Sequence, residues 1–225
     1  MKQETTQSVD VLQCRAILYA GISTVFSSTV EEKFQSMHHG EIRNQIIEAA
    51  AYYDDHADGD SPNVHQAAVG LIDAFESEKK TLEYEYVNIF GHTLSKKTSP
   101  YELEHLQNQE IFYKTQSLAD ISGFYKAFGL QIRANERADF ISIEAEFLSY
   151  LIVKELLARQ KELGDEKIDV TRNAQRDFFK DHFAGWASKL AKNVIEQARI
   201  SFYQQAGRYL QRFIKAETLY LRKAV

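Results

Sequence analysis

The sequence predicts an all-α protein, a single multi-helix bundle domain. Three observations lead there. Only two prolines and ten glycines interrupt 225 residues. Runs rich in Ala, Leu, Glu, Lys and Gln recur between them, and these side chains lose little freedom in a helix. Apolar residues return at helical spacing, and no segment alternates apolar with polar as a half-buried strand does. With 44% apolar and 12% aromatic residues, the chain has material for one sizeable core, so residues 1–225 are expected to form one domain.

Ser8 is placed to cap a first helix whose stripe is Leu12, Ala16, Tyr19, Ile22 and Phe26. Thr29 with Glu32 has the capping-box spacing and predicts a short helix through Val30, Phe34 and Met37. Ile42, Ile46, Ala49 and Tyr53 continue the pattern up to a loop at 54–62, where Ser61 and Pro62 signal the next start, with Val64, Ala68, Leu71 and Phe75 following. Leu82, Tyr86 and Ile89 mark another helix. After a loop at 91–98, Ser99-Pro100-Tyr101-Glu102 combines an N-cap, a proline at the first helical position and a glutamate two residues on. Ile121, Tyr125 and Phe128 predict a helix stopped by Gly129. A polar connector, 131–138, follows as a candidate hinge, and Asp139 is the expected cap of the helix after it. Thr171 is read as the start of a helix carrying Phe178, His182 and Trp186, and a last helix carries Phe202, Ala206, Tyr209, Phe213 and Leu221.

The helix after Asp139 is the most informative element. Ile141, Glu144, Ala145, Leu148 and Leu151 share one face; Ile143, Glu146, Phe147, Tyr150 and Val153 share the opposite one. A helix apolar on both sides is usually buried, yet this one carries acids. A desolvated carboxylate must be paired, reach solvent at a groove, protonate, or meet a cationic ligand.

The net charge of -5 is unevenly spread: residues 186–225 hold eight Lys and Arg against two Glu, which leaves -11 on the remainder. An acidic body disfavours a duplex nucleic-acid partner and is compatible with a basic peptide. The single cysteine, Cys14, cannot form an internal disulfide and suits a reducing compartment. The first residues lack a signal-peptide core, and no uncharged stretch reaches the roughly 18 residues that span a bilayer. A soluble, cytoplasmic protein without stable membrane insertion is expected.

Catalytic and metal motifs fail one by one. Asp54-x-His56-x-Asp58-Gly59 begins like a calcium loop, but the twelfth position, which needs a bidentate glutamate, is His65. Glu102-x-x-His105 has di-iron ligand spacing in one copy where two are required, and is read as surface residues of a first helical turn. His-Glu-x-x-His, CxxC, P-loop, GxGxxG and Gly-x-Ser-x-Gly patterns are absent from the sequence. Neither an enzyme nor a resident cofactor or metal is expected. The aromatic stripes and Trp186 are read as core.

Three blocks add a resemblance: Tyr84-Glu-Tyr-Val-Asn-Ile-Phe-Gly91 with Ser99-Pro-Tyr-Glu102, then Phe124-Tyr-Lys-Ala-Phe-Gly-Leu130, then Asp139-Phe-Ile-Ser-Ile-Glu-Ala-Glu-Phe-Leu-Ser-Tyr-Leu151. In that order, with His182-Phe-Ala-Gly-Trp186 and Phe202-Tyr203 in the tail, the chain resembles the TorD/DmsD/NarJ family from about Leu82 onward. The resemblance implies a TorD-like helical bundle and a cytoplasmic chaperone that matures molybdopterin oxidoreductases, many members binding the client's twin-arginine signal peptide. The family's central motif is commonly Pro-Asp-His with Glu five residues after the Asp; here Ala138, Asp139, Phe140 and Glu144 take those places, followed by Glu146 and Phe147. Phe140 cannot supply a histidine's hydrogen bonds or titration.

Residues and resemblance converge on one expectation. Paired arginines present planar, permanently charged donors that helix-borne carboxylates accept bidentately, and the apolar residues after them need a groove. Asp139, Glu144 and Glu102 are the expected acceptors, with Tyr86, Phe90, Ser99, Pro100, Tyr101 and Phe140 around them; Glu146, on the other face, is expected to be structural. The partners expected are the catalytic subunit of a molybdopterin oxidoreductase and its signal peptide, with the chaperone a monomer or a domain-swapped dimer through 131–138. A NarJ-like chaperone of a non-exported nitrate-reductase-type subunit is the alternative within the family. A ligand-responsive helical transcription regulator is the rival of another class, and it would need a basic N-terminal DNA-binding helix; residues 1–45 instead hold four Lys and Arg against five Asp and Glu.

Overall fold

In the computed structural model, residues 2–56, 63–91, 96–107, 110–134 and 136–223 are described. Helices follow one another as α1 (Lys2–Val25), α2 (Glu32–Gln35), α3 (Gly40–His56), α4 (Val64–Glu78), α5 (Leu82–Phe90), α6 (Ile111–Ala127), α7 (Ile141–Gln160), α8 (Asp165–Phe178), α9 (Ala184–Gln197) and α10 (Ser201–Lys223). A five-residue π-helical turn, Phe179–Phe183, joins α8 to α9. The one bridge among the described residues is the isolated antiparallel pair Tyr101–Phe140.

The stripes read from the sequence form the core. Tyr19, Ile22 and Phe26 on α1, Ile46 and Tyr53 on α3, Leu71 and Phe75 on α4, and Tyr209 and Phe213 on α10 are all buried. Helix α1 packs mainly against α7 and α3, α10 lies between α9 and α4, and α8 covers α7. Rings meet edge-on where helices cross, as Tyr19 does with Phe213 at 4.8 Å and Phe147 with Phe178 at 4.8 Å. Inside this core one ion pair is sealed: Arg15 Nε donates to both carboxylate oxygens of Glu217 at 3.0 Å, joining α1 to α10, and the Tyr53 hydroxyl adds a contact at 3.4 Å.

Helix starts are where local signals lose to tertiary ones. Helix α1 begins at Lys2, so Ser8 lies inside it rather than capping it. Thr29 does not cap α2, whose N-cap is Glu31 without a side-chain bond; the Thr29 carbonyl instead accepts the Gln35 side chain. Ser61 and Pro62 fall outside the described residues, but α4 is capped from a distance: Asp54 on α3 accepts the Val64 and His65 N–H groups at 3.2 and 2.9 Å. Ser99-Pro100 opens no α-helix. Pro100 and Tyr101 run extended against the chain at Phe140, and Glu102 begins a single 3-10 turn, Glu102–Glu104. Thr171 is interior to α8, which starts six residues earlier, after Gly164 at φ 93; its hydroxyl donates back to the Lys167 and Ile168 carbonyls. Gly129 does stop α6 as expected, at φ 77.

Candidate functional site

The site is assembled where residues 99–104 cross the N-terminus of α7. The Ile141 N–H donates to the Pro100 carbonyl at 2.9 Å, and the Glu102 N–H donates to the Asp139 carbonyl at 2.9 Å. This two-bond ladder turns Asp139 away from the α7 terminus. Phe140 therefore becomes the N-cap, at φ -84 and ψ 130, and the expected capping role of Asp139 is not realised. The Asp139 carboxylate is fully buried: Oδ1 accepts Arg137 Nε at 2.9 Å, and Oδ2 accepts Arg137 Nη2 at 2.7 Å and the Leu103 N–H at 3.2 Å. The Arg137 guanidinium lies 4.0 Å from the Tyr101 ring centroid, and the Tyr101 and Phe140 rings are 5.5 Å apart.

One turn into α7, Glu144 is also fully buried. Trp186 Nε1 donates to its Oε2 at 3.0 Å and to the His182 carbonyl at 2.6 Å. Glu102 is buried too, which corrects its reading as a surface residue. Its Oε1 faces His182 Nδ1 at 3.4 Å, and His182 Nε2 reaches Asp120 at 3.1 Å. Glu102 Oε2 and Glu144 Oε1 find no donor in the chain, and the two carboxyls interact directly. Burial first, then the Glu102 charge and the contact with it, hold the Glu144 pKa well above the ordinary glutamate range. That direction favours a protonated Glu144, whose O–H would give Glu102 the bond it lacks. For His182, burial favours the neutral ring, but its bonds to Glu102 and Asp120 outweigh that and raise its pKa.

Beside this centre, across Phe140, lies a groove of about 680 Å³ between the α1–α2 loop, the 131–136 connector and α7. It is lined by the apolar Ile132, Phe140, Ile143, Phe147 and Tyr150, by the acids Glu31, Glu32, Glu136 and Glu146, and by Lys33 and Arg133, the latter 3.6 Å from Glu136. Glu146 does not pack inside the bundle: it is 60% exposed and pairs with Lys33. The expectation that α7 is buried all round fails on this side, and Val153 and Leu157 are exposed farther along it. Tyr86 and Phe90 stack at 5.1 Å and pack on Tyr203 in the aromatic core. Burial, then Tyr101 and Glu31, raise the Tyr86 pKa, and Tyr86 is not among the residues that line the groove. Pro100 is buried and contributes through its carbonyl. Ser99 likewise contributes its carbonyl, which meets His105 Nε2 at 2.7 Å.

Of the expected residues, then, Asp139, Phe140, Tyr101 and Pro100 converge; Glu102 and Glu144 form a sealed pair behind them. Sequence reasoning passed over Arg137, Lys33 and the acids Glu31, Glu32 and Glu136. The only signal for them as site residues was charge, in loops and in the short helix α2, and charge alone is usually mere solvation. Among the described residues, no group of three or more His, Cys, Asp or Glu is arranged to hold a metal ion, and no helix is long and apolar enough to cross a membrane.

Comparison with known proteins decides the family. The model of the family described as nitrate reductase delta subunit matches residues 57–192, more than half the chain. The chain belongs to the nitrate reductase delta subunit family. That is the TorD/NarJ group to which the sequence blocks pointed. The matched region runs from before α4 into α9 and includes the whole α7 crossing. Among relatives, a perchlorate reductase assembly chaperone protein of Dechloromonas aromatica is 28% identical over 118 residues, 52% of this chain and 50% of the relative. The chain therefore spans half the length of that relative. A chaperone protein TorD of Vibrio atlanticus is 23% identical over 216 residues, covering 92% of this family member and 94% of the relative. Another TorD chaperone, from Aliivibrio fischeri, is 21% identical over 164 residues, covering 72% of this chain and 74% of its own.

Proposed function

We propose that this family member is a cytoplasmic maturation chaperone. It holds the twin-arginine signal peptide of a molybdopterin oxidoreductase catalytic subunit, keeps that subunit from premature export and assists its cofactor insertion. The observation that carries this reading is the groove lined by apolar side chains and by four acids against two cations, beside the Asp139 carboxylate and the Tyr101 ring that share Arg137. Paired arginines followed by apolar residues match such a surface in charge and hydropathy at once. Carboxylates on helices and anchored loops are acceptors whose positions are already set, so little ordering is lost on binding. The names of the relatives, assembly chaperones of reductases, point the same way.

The chemistry asked of the chain is recognition. Glu146 and the loop acids draw the cationic segment in, and Phe140, Ile143 and Phe147 receive its apolar part. Calorimetric titration with a twin-arginine peptide and a twin-lysine control tests this: tight binding of the first and weak binding of the second is expected, and equal or absent heat for both would sink it. The family's own description supports a second reading, a chaperone for a nitrate-reductase-type subunit that is not exported. Titration with the client's N-terminal segment lacking paired arginines separates the two.

A further inference from the structure

The Asp139 carboxylate, fully buried, already has a guanidinium on it. Two N–H groups of Arg137 meet its two oxygens at 2.9 and 2.7 Å, and the same guanidinium lies 4.0 Å from the Tyr101 ring centroid. A bidentate carboxylate plus an aromatic face is a complete arginine receptor. Its occupant is the more exposed partner: the Arg137 side chain is 43% exposed while that of Asp139 is at 0%. The guanidinium therefore sits on the solvent side of the carboxylate.

We propose that Arg137 is an internal stand-in for a ligand arginine, and that an arginine of the bound peptide displaces it from Asp139 and Tyr101. This rests on the signal-peptide reading above. The receptor is anchored independently of its occupant: the Leu103 N–H holds Asp139 Oδ2, the Tyr101–Phe140 bridge holds the aromatic wall, and the Tyr125 hydroxyl holds the Ala138 carbonyl at 2.8 Å. Arg137 can swing out by side-chain rotation alone. Phe140 packs at a tilt against Tyr101 and also lines the groove, so a peptide lying in the groove has this receptor as its neighbour.

Self-occupation sets the affinity, and the geometry of the receptor sets the selectivity. An incoming arginine replaces like with like, forming the same two bonds and the same stack. A lysine brings one compact ammonium that cannot make the bidentate pair, so it competes poorly with the resident guanidinium. The resident lowers affinity for every ligand by the same factor, set by the fraction of time it leaves the site free, so the preference for arginine over lysine is that of the empty receptor.

The test uses the full chain, titrated with the twin-arginine and twin-lysine peptides. Arg137→Ala should bind the twin-arginine peptide about tenfold more tightly than the parent, which corresponds to a site free about one tenth of the time, and should keep its preference over twin-lysine. N-ethylguanidinium should compete with the peptide in the variant, with ethylammonium far less effective. Because this variant also leaves a buried acid without its main partner, a second readout uses the unmodified protein. With ¹⁵N-labelled arginine, the Arg137 Nε–H signal should move to rapid solvent exchange on saturation with peptide. If the peptide binds while that signal stays protected and the folded variant gains no affinity, the stand-in role is overturned and the signal-peptide reading stands. If neither protein binds the twin-arginine peptide, both fall.

Discussion

Trp186 on α9 donates its indole N–H to Glu144 on α7, 42 residues away in the chain, and this bond fixes which Glu144 oxygen is left to face Glu102. The buried centre of the protein is thus a carboxyl pair framed by an indole and an imidazole. Its members come from the 99–104 segment, α7, the π-helical turn and α9, so the cluster ties four parts of the fold together.

The raised Glu144 pKa makes stability depend on pH in a definite direction. The folded state raises the Glu144 pKa, and the unfolded state leaves it ordinary. The stabilisation is complete below the unfolded value and is lost as pH rises toward the folded one. His182, also raised, adds a loss of the same sign from neutral pH upward. Urea denaturation across pH 5 to 9 should therefore give falling stability. Glu144→Gln, whose amide donates to Glu102 permanently, should flatten that fall and lie within about 1 kcal/mol of the parent at neutral pH. An unchanged slope would show that Glu144 does not carry the pH dependence.

The Arg15–Glu217 pair has the opposite sensitivity to substitution. Both side chains are essentially inaccessible, so removing one partner strands a buried charge. Glu217→Gln should cost about 3 kcal/mol or more in urea denaturation, whereas the double change Arg15→Met with Glu217→Leu should recover most of that loss.

Gly207 lets α10 lie against α9. A Cβ built there would stand 2.7 Å from Ile195 Cγ1 and 2.8 Å from the Ala191 carbonyl oxygen. The second contact is backbone and cannot turn aside. Despite the better helix propensity of alanine, Gly207→Ala should lower the melting temperature, with a cost of about 1–3 kcal/mol.

Glu146 separates recognition from folding. Being exposed and paired only across the groove with Lys33, it should tolerate Glu146→Gln with stability unchanged within about 0.5 kcal/mol. Peptide affinity should drop several-fold, and added salt should narrow the difference between the two proteins. Loss of stability without loss of affinity would remove Glu146 from the recognition surface.

Helical spacing in the sequence was enough to assign the all-α class, the stripe Leu12 to Phe26, the stop at Gly129 and the final helix. It also located the blocks that mark the family. Periodicity reports which residues share a face, and the faces of α1, α4 and α10 were long enough to leave no ambiguity. Tertiary structure alone decided what each carboxylate does. Spacing put Glu144 and Glu146 on opposite faces but could not say which neighbour covers which face: Trp186 and Glu102 close over Glu144, while the groove leaves Glu146 in solvent. Asp139 has a cap's position and a cap's side chain, yet the ladder between Pro100 and Ile141 turned it toward Arg137. The fate of an acid depends on partners brought from far along the chain, because its desolvation can be offset only by groups within hydrogen-bond reach, and that reach is set by packing.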